Sequence, residues 1–143
     1  MTKSADSGAW QVLPVRIYYE DTDAQGVVYF ANYQRFMERG RTEWLRVNNV
    51  EQDVLRREHG LIFSLVTASV RYHKPATLDQ QVVVCTRVSS IKGVRVTFEQ
   101  EVRLNDENGA VLASAENVAA SLDANSLKPK RLLPELQQLL LNT

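Results

Sequence analysis

The stretch VRIYYEDTDAQGVVYFANYQRFMERGRTEWLRV, residues 15–47, contains a switch in periodicity on which the reading of the chain turns. Val15-Arg16-Ile17-Tyr18-Tyr19 alternates and is rich in β formers, which predicts a strand. Glu20 to Gly26 is turn chemistry: aspartates bond to the backbone that follows them, and Gly26 tolerates positive φ. From Asn32 to Val47 the apolar residues Tyr33, Phe36, Met37, Gly40, Trp44 and Val47 recur at steps of three and four, the stripe of an amphipathic helix. Gly40 lies on that stripe, where glycine costs about 1 kcal/mol relative to alanine. Close approach of the helix to a sheet would compensate.

Downstream the spacing predicts a short helix over 51–58, stopped by Gly60. The period then changes to two, and four strands are expected at about 61–73, 80–90, 93–105 and 110–123. In the third, Val94, Val96, Phe98, Val102 and Leu104 take one face, while Arg95, Thr97, Glu99, Glu101 and Arg103 take the other. Ile91-Lys92-Gly93 and Asn105 to Gly109 read as hairpin turns. Leu132 to Leu141 reads as a short terminal helix with Pro134 in its first turn. Residues 1–12 read as a flexible arm and 13–143 as a single domain. One long helix cannot cover both faces of a five-stranded sheet, so the order of elements predicts an α+β fold whose edge strands and second face invite another subunit.

At 143 residues the chain has room for one core. Seventeen basic and seventeen acidic side chains balance, so no global pull toward nucleic acid or anionic membrane exists. A lone cysteine, Cys85, forbids an internal disulfide and fits a reducing compartment. The opening residues lack the apolar core of a signal peptide, and no apolar run approaches the ~20 residues of a membrane helix. The expected address is the cytoplasm. Phosphate-loop, HExxH and GxSxG patterns are absent, and His59, His73 and Cys85 make a poor ligand set, so neither metal nor cofactor is expected.

The residues that stand out are Glu20, Asp21 and Asp23, three carboxylates in four positions just before a helix begins. The commoner use of Asp-Thr-Asp is an Asx turn or a cap. The chemical use sets a carboxylate beside the free N–H groups of a helix start, where an acyl oxyanion is stabilised.

The run Tyr19-Glu20-Asp21-Thr22-Asp23-Ala24-Gln25-Gly26-Val27-Val28-Tyr29, followed by Asn32-Tyr33, Glu38-Arg39 and Arg41-Thr42-Glu43, resembles the opening of the 4-hydroxybenzoyl-CoA thioesterase group of hot-dog proteins. It is most similar to the YbgC-type branch of acyl-CoA thioesterases, linked with the Tol–Pal envelope system. Tyr72-His73-Lys74-Pro75-Ala76, Leu122-Asp123 and Lys128-Pro129 extend the likeness to about residues 14–134. The resemblance implies a hot-dog fold, a long helix wrapped by a five-stranded antiparallel sheet. It implies hydrolysis of acyl-CoA to free acid and CoA by Asp23, as nucleophile or general base, with the backbone N–H of Phe30 as oxyanion donor. It further implies a homodimer or homotetramer with sites at the subunit junction, and allows an acyl carrier protein in place of CoA. Phe30 stands where the branch usually carries histidine. The departure removes an imidazole and leaves the backbone N–H in place. It also keeps two other readings open: an acyl-carrier-binding or envelope-lipid-enzyme partner with little turnover, and an acyl-CoA lyase or dehydratase.

Among lesser candidates, Tyr29 and Asn32 are expected to shape the pocket, and His73, Lys92 and Arg95 to contact substrate, with Lys74 and Arg71 as further cations for phosphate. Glu20 and Asp21 read as solvated turn residues. Glu38 and Glu43 compete for the carboxylate role, although an Arg39–Glu43 ion pair is the expected use of the latter. Tyr33, Phe36 and Trp44 read as core, and Cys85 as a buried strand residue without an activating base.

Overall fold

The computed structural model describes residues 9–134 together with 137 and 138. The sheet is antiparallel in the order β1-β3-β4-β5-β2, with β1 at Gln11–Arg16, β2 at Leu61–Tyr72, β3 at Gln81–Lys92, β4 at Arg95–Leu104 and β5 at Val111–Asp123. Two helices, α1 (Ala31–Val47) and α2 (Gln52–His59), lie between β1 and β2. Gly60 closes α2 in the left-handed conformation at φ 60°. Of the terminal helix expected over 132–141, Pro134, Gln137 and Gln138 are helical, and 135, 136 and 139–141 lie outside the described residues, as do 1–8 of the arm.

The first strand runs earlier than its β formers suggest. It starts at Gln11, inside the expected arm, and stops at Arg16. Pro14 is tolerated because β1 is an edge strand, where a missing N–H breaks no ladder. Tyr18 and Tyr19 then leave the sheet, 62% and 82% exposed. Tyr19–Asp21 form a 3-10 turn, held because the Tyr18 N–H donates to Asp21 Oδ2 at 2.8 Å and the Thr22 hydroxyl to the Tyr19 carbonyl at 2.8 Å. Local side-chain bonds here override β propensity.

The helix buries Tyr33, Phe36, Met37, Gly40, Trp44 and Leu45 against the sheet. Val47, expected on the stripe, is exposed at the last helical residue, and Leu45 and Val50 take up the burial. The core has two lobes. Tyr33, Phe36 and Met37 pack with Ile17, Val28, Val82, Val84 and Val102. Trp44 and Leu45 pack with Leu55, Leu61, Val88, Val96 and Phe98.

Between the lobes the helix meets the sheet at Gly40. A Cβ there would lie 2.7 Å from both Thr86 Oγ1 and Val84 Cγ1. At this level the core is polar, for Thr86, Gln100 and Asn117 are fully buried. Gln100 Nε2 donates to the Met37 carbonyl of the helix (2.8 Å) and to Thr86 Oγ1 (2.9 Å). Its Oε1 accepts from Arg41 Nη1 (3.0 Å) and Asn117 Nδ2 (2.9 Å). Satisfied in this way, a buried amide is tolerated.

The face of the sheet turned away from the helix is the one to which the sequence assigned Glu99, Glu101 and Arg103. It carries the ion pairs Arg87–Glu99 and Arg103–Glu101, and the Arg87 guanidinium lies 3.9 Å over the Trp10 ring. Cys85 lies in β3, fully buried.

Gly40→Ala is expected to destabilise the protein by about 1–3 kcal/mol through overpacking, more than the ~1 kcal/mol gained in helix propensity. Denaturant unfolding followed by circular dichroism measures the sign, and a stabilised variant would refute the close-approach account. For Cys85, burial pushes the thiol up to about 11. The unfolded chain, with a thiol pKa of ~8.5, therefore loses this proton first, so stability falls as pH rises from there through about 11. Cys85→Ala should flatten that part of the stability–pH curve, and the native thiol should resist alkylation at neutral pH.

Candidate active site

The acidic loop takes its shape from hydrogen bonds made by its own residues. The Asp21 carbonyl accepts from the Tyr29 N–H (3.0 Å) and from Asn32 Nδ2 (2.9 Å), tying the loop to the first turn of α1. With its carboxylate on the Tyr18 N–H, Asp21 is a structural residue. Asp23 closes the tip. Its N–H donates to the Val27 carbonyl (2.9 Å), its carbonyl accepts from Gly26 (3.0 Å), and its Oδ1 accepts from the Gln25 N–H (2.9 Å). Gly26 supplies the turn at φ 79°. The side chain is exposed, and among the described residues no donor meets its Oδ2.

Two isolated bridges, Thr22 to Val28 and Val27 to Thr77, strap the loop across the chain. The Val28 N–H donates to the Ala76 carbonyl at 2.8 Å. The Ala76 N–H in turn donates to the buried hydroxyl of Tyr33 at 3.1 Å. Burial holds the Tyr33 phenol above its ordinary pKa, so it stays protonated.

Phe30 is the residue from which α1 springs, at φ −61° and ψ −24°. Its carbonyl accepts from Tyr33 N–H (3.2 Å) and from the Tyr72 hydroxyl (3.3 Å). Its own N–H donates to no described atom. This is the orphan donor that a helix start leaves, at the positive end of the peptide dipoles.

Phe30 also lines a cleft of about 250 Å³, together with Val28, Tyr33, Tyr72, His73, Lys74 and Pro75. Ring contacts build its wall: Tyr29 stacks on Phe30 at 4.9 Å, and Tyr72 meets Phe30 and Tyr33 edge-on at 5.7 and 5.5 Å. The cleft offers an aromatic wall, with Lys74 and His73 at its border, and Asp23 is not among the residues that line it.

Of the residues singled out from the sequence, Asp23, Tyr29, Phe30, Asn32 and His73 come to this end of the sheet. His73 Nε2 is hydrogen-bonded with Ser114 Oγ at 2.9 Å. Lys92 and Arg95 do not come here within one chain. They face each other at the β3–β4 hairpin, while the Ile17–Gln80 bond puts the acidic loop at the opposite end of β3. Eleven residue steps of ~3.3 Å set them about 35 Å apart. Glu43 pairs with Arg46, not with Arg39, which lies over the Phe36 ring at 5.9 Å. Glu38 is exposed and lines a different cavity.

Tyr72 was not among the candidate site residues. It ends a strand and looks like one more β former. The polar seam of Gln100 and Asn117 was also passed over, although Gln100 interrupts an apolar face between Phe98 and Val102, a signal that was there to be used.

The model of the thioesterase-like superfamily matches residues 18–140. A Haemophilus influenzae protein named acyl-CoA thioesterase YbgC is 44% identical over 116 residues, 81% of this chain and 83% of that protein. The Escherichia coli acyl-CoA thioester hydrolase YbgC is 41% identical over 119 residues, 83% of this chain and 87% of its own length. Among solved structures, a probable thioesterase from Bartonella henselae aligns with a TM-score of 0.79 at 32% identity, covering 87% of this chain and all of that one.

Proposed function

Because the chain belongs to the thioesterase-like superfamily, we propose that it hydrolyses acyl-CoA thioesters to the free acid and CoA, with Asp23 as catalytic carboxylate and the Phe30 N–H as oxyanion donor. The observation that carries the reading is the unused Phe30 N–H at the start of α1, on the same strapped loop as a carboxylate with one oxygen unengaged. The acyl-CoA class is carried over from the names of the relatives.

The chemistry follows from these two groups. Attack on the thioester carbon pushes the carbonyl π pair onto oxygen, and the Phe30 N–H donates to the oxyanion that forms. Collapse expels the CoA thiolate. Asp23 acts either as nucleophile, giving a mixed anhydride that water opens, or as a base that takes a proton from the attacking water. A thioester has weaker resonance than an ester, so one carboxylate and one strong donor suffice. The aromatic wall of Tyr29, Phe30 and Tyr72 receives the acyl group, Asn32 holds the loop, and His73 and Lys74 border the entry of the CoA arm. An acyl carrier protein, which presents the same kind of thioester, is the alternative donor. A CoA substrate puts the working protein in the cytoplasm, and association with the Tol–Pal system rests on the resemblance alone.

The same reading makes the protein a homodimer, or a homotetramer where dimers pair. In support, β2 is a 12-residue edge strand that among the described residues pairs with β5 alone, with Leu65 and Val66 41% and 42% exposed at its middle. Long exposed edges of this kind pair with another chain.

Free-thiol release from short, long and aromatic acyl-CoAs tests the activity. Asp23→Asn should lose at least ~100-fold in rate. Phe30→Pro deletes the unused N–H at a φ that proline accepts, and it is read against Phe30→Ala, which loses the same ring but keeps the N–H. A loss of about 10²–10³ in kcat relative to Phe30→Ala is expected. Full activity in both Asp23→Asn and Phe30→Pro would sink the assignment, and no wild-type turnover on any substrate would favour an acyl-carrier-binding partner. For the assembly, sedimentation should give a dimer or tetramer for the wild type, and Val66→Lys, which puts a charge on the edge, should shift it to monomer.

A further inference from the structure

Tyr33 carries a hydroxyl whose proton the fold leaves unused. Its ring belongs to the first core lobe and is 3% exposed, yet the residue also lines the cleft beside Phe30. The phenolic oxygen accepts from the Ala76 N–H at 3.1 Å, and among the described residues no acceptor takes its own proton. A phenolic O–H lies in the ring plane, on one of two sides of the oxygen. With Ala76 on one side, the proton is left on the other. Burial holds the phenol above its ordinary pKa, so it remains a donor at neutral pH. Buried tyrosine hydroxyls find partners for both functions, so a free donor at a cleft marks a place for a ligand oxygen.

The position of this donor follows from the helix. Tyr33 comes three residues after Phe30, and its N–H donates to the Phe30 carbonyl at 3.2 Å. Helical side chains lean toward the N-terminus of their helix. The Tyr33 ring therefore reaches back over the turn that springs from Phe30, the end at which the Phe30 N–H is unused. Tyr72 meets both rings edge-on, but its hydroxyl is occupied by the Phe30 carbonyl. Tyr33 is thus the cleft phenol with a proton to offer.

We propose that the Tyr33 hydroxyl donates to the thioester carbonyl oxygen, as a second oxyanion donor beside the Phe30 N–H. The inference rests on the thioester reading above. No proton is transferred. The hydroxyl keeps its hydrogen, the contact strengthens as negative charge gathers on the oxygen, and collapse expels the thiolate as before. The bond accepted from Ala76 aims the hydroxyl and polarises it, which makes it the better donor.

Thiol release by Tyr33→Phe is the first test, with a loss of about 100-fold in kcat expected. Wild-type kcat in that variant overturns the proposal and leaves the hydrolase reading standing. Because Tyr33→Phe also strips Ala76 of its acceptor, the deciding variant places 3-fluorotyrosine at position 33 of the full chain. Fluorine beside the hydroxyl makes a stronger donor and a weaker acceptor. A kcat at pH 7 about twofold above wild type is expected, with activity lost on the alkaline side at a lower pH, since a phenolate has nothing to donate. Tyr72, His73 and Lys74, the other titratable groups lining the cleft, are the same in both proteins and do not move that limb. A hydroxyl that only accepts from Ala76 requires the reverse, a lower kcat at pH 7 and activity kept on ionisation, and either result overturns the proposal. A wild type without turnover would fail the hydrolase reading instead. The hydroxyl is then read by infrared spectroscopy on bound acetonyl-dethio-CoA, a ketone with CH2 in place of the thioester sulfur. A carbonyl band at higher frequency in Tyr33→Phe than in the wild type supports the contact. The same band in both proteins, or no binding of the ketone, overturns it.

Discussion

The contact on which the structure depends is the one between Gly40 and the sheet. Because residue 40 has no side chain, the helix backbone comes down onto Val84 and Thr86, close enough for Gln100 to reach a helix carbonyl. A side-chain amide thereby does in the middle of the core what main-chain ladders do elsewhere, and it fixes both the height and the rotation of α1. The arrangement has a direction. Arg41 can only donate, so it sets which end of the Gln100 amide faces it, Gln100 sets Asn117, and Asn117 accepts from Gln34 Nε2 at 3.1 Å. An apolar seam of equal volume would hold the layers together without specifying their register so tightly.

That register reaches the cleft through Tyr33. Its ring belongs to the first core lobe, and its hydroxyl accepts from Ala76, whose carbonyl holds Val28. The strap over the acidic loop is therefore anchored to the same helix that starts at Phe30. Carboxylate and donor are carried on opposite ends of one short connection, which the Val28–Ala76 bond straps down between them.

Much of this was legible before any coordinates. The period-two run of β4 and the stripe of α1 announced themselves, because burial on one face leaves a mark at fixed spacing. Gly40 was readable too, as a residue too costly for a helix unless something lay close beneath it. The departures share a cause. Tyr18 and Tyr19 have strong β propensity, yet the turn bonds of Asp21 and Thr22 prevail, and only a local hydrogen-bond search would have shown it. Arg39 had two partners in reach, and spacing alone chose Glu43 where the geometry chose the Phe36 ring. Lys92 and Arg95 were grouped with the site by charge. Their distance from it is a property of strand length, which the sequence also carried. Tyr72 lay furthest from view: nothing in one dimension says that the end of β2 stands over the start of α1.

The two tryptophans follow from the same layering. Trp44 is buried edge-on against Phe98 in the second lobe, and Trp10 lies beneath Arg87 on the far side of the sheet. Neither lines the cleft, whose aromatic wall is tyrosine and phenylalanine. The molecule thus has its optical reporters sorted by location: blue-shifted indole emission from Trp44 reads the integrity of the core, Trp10 reads the seating of the first strand, and tyrosine signals alone report events at the cleft.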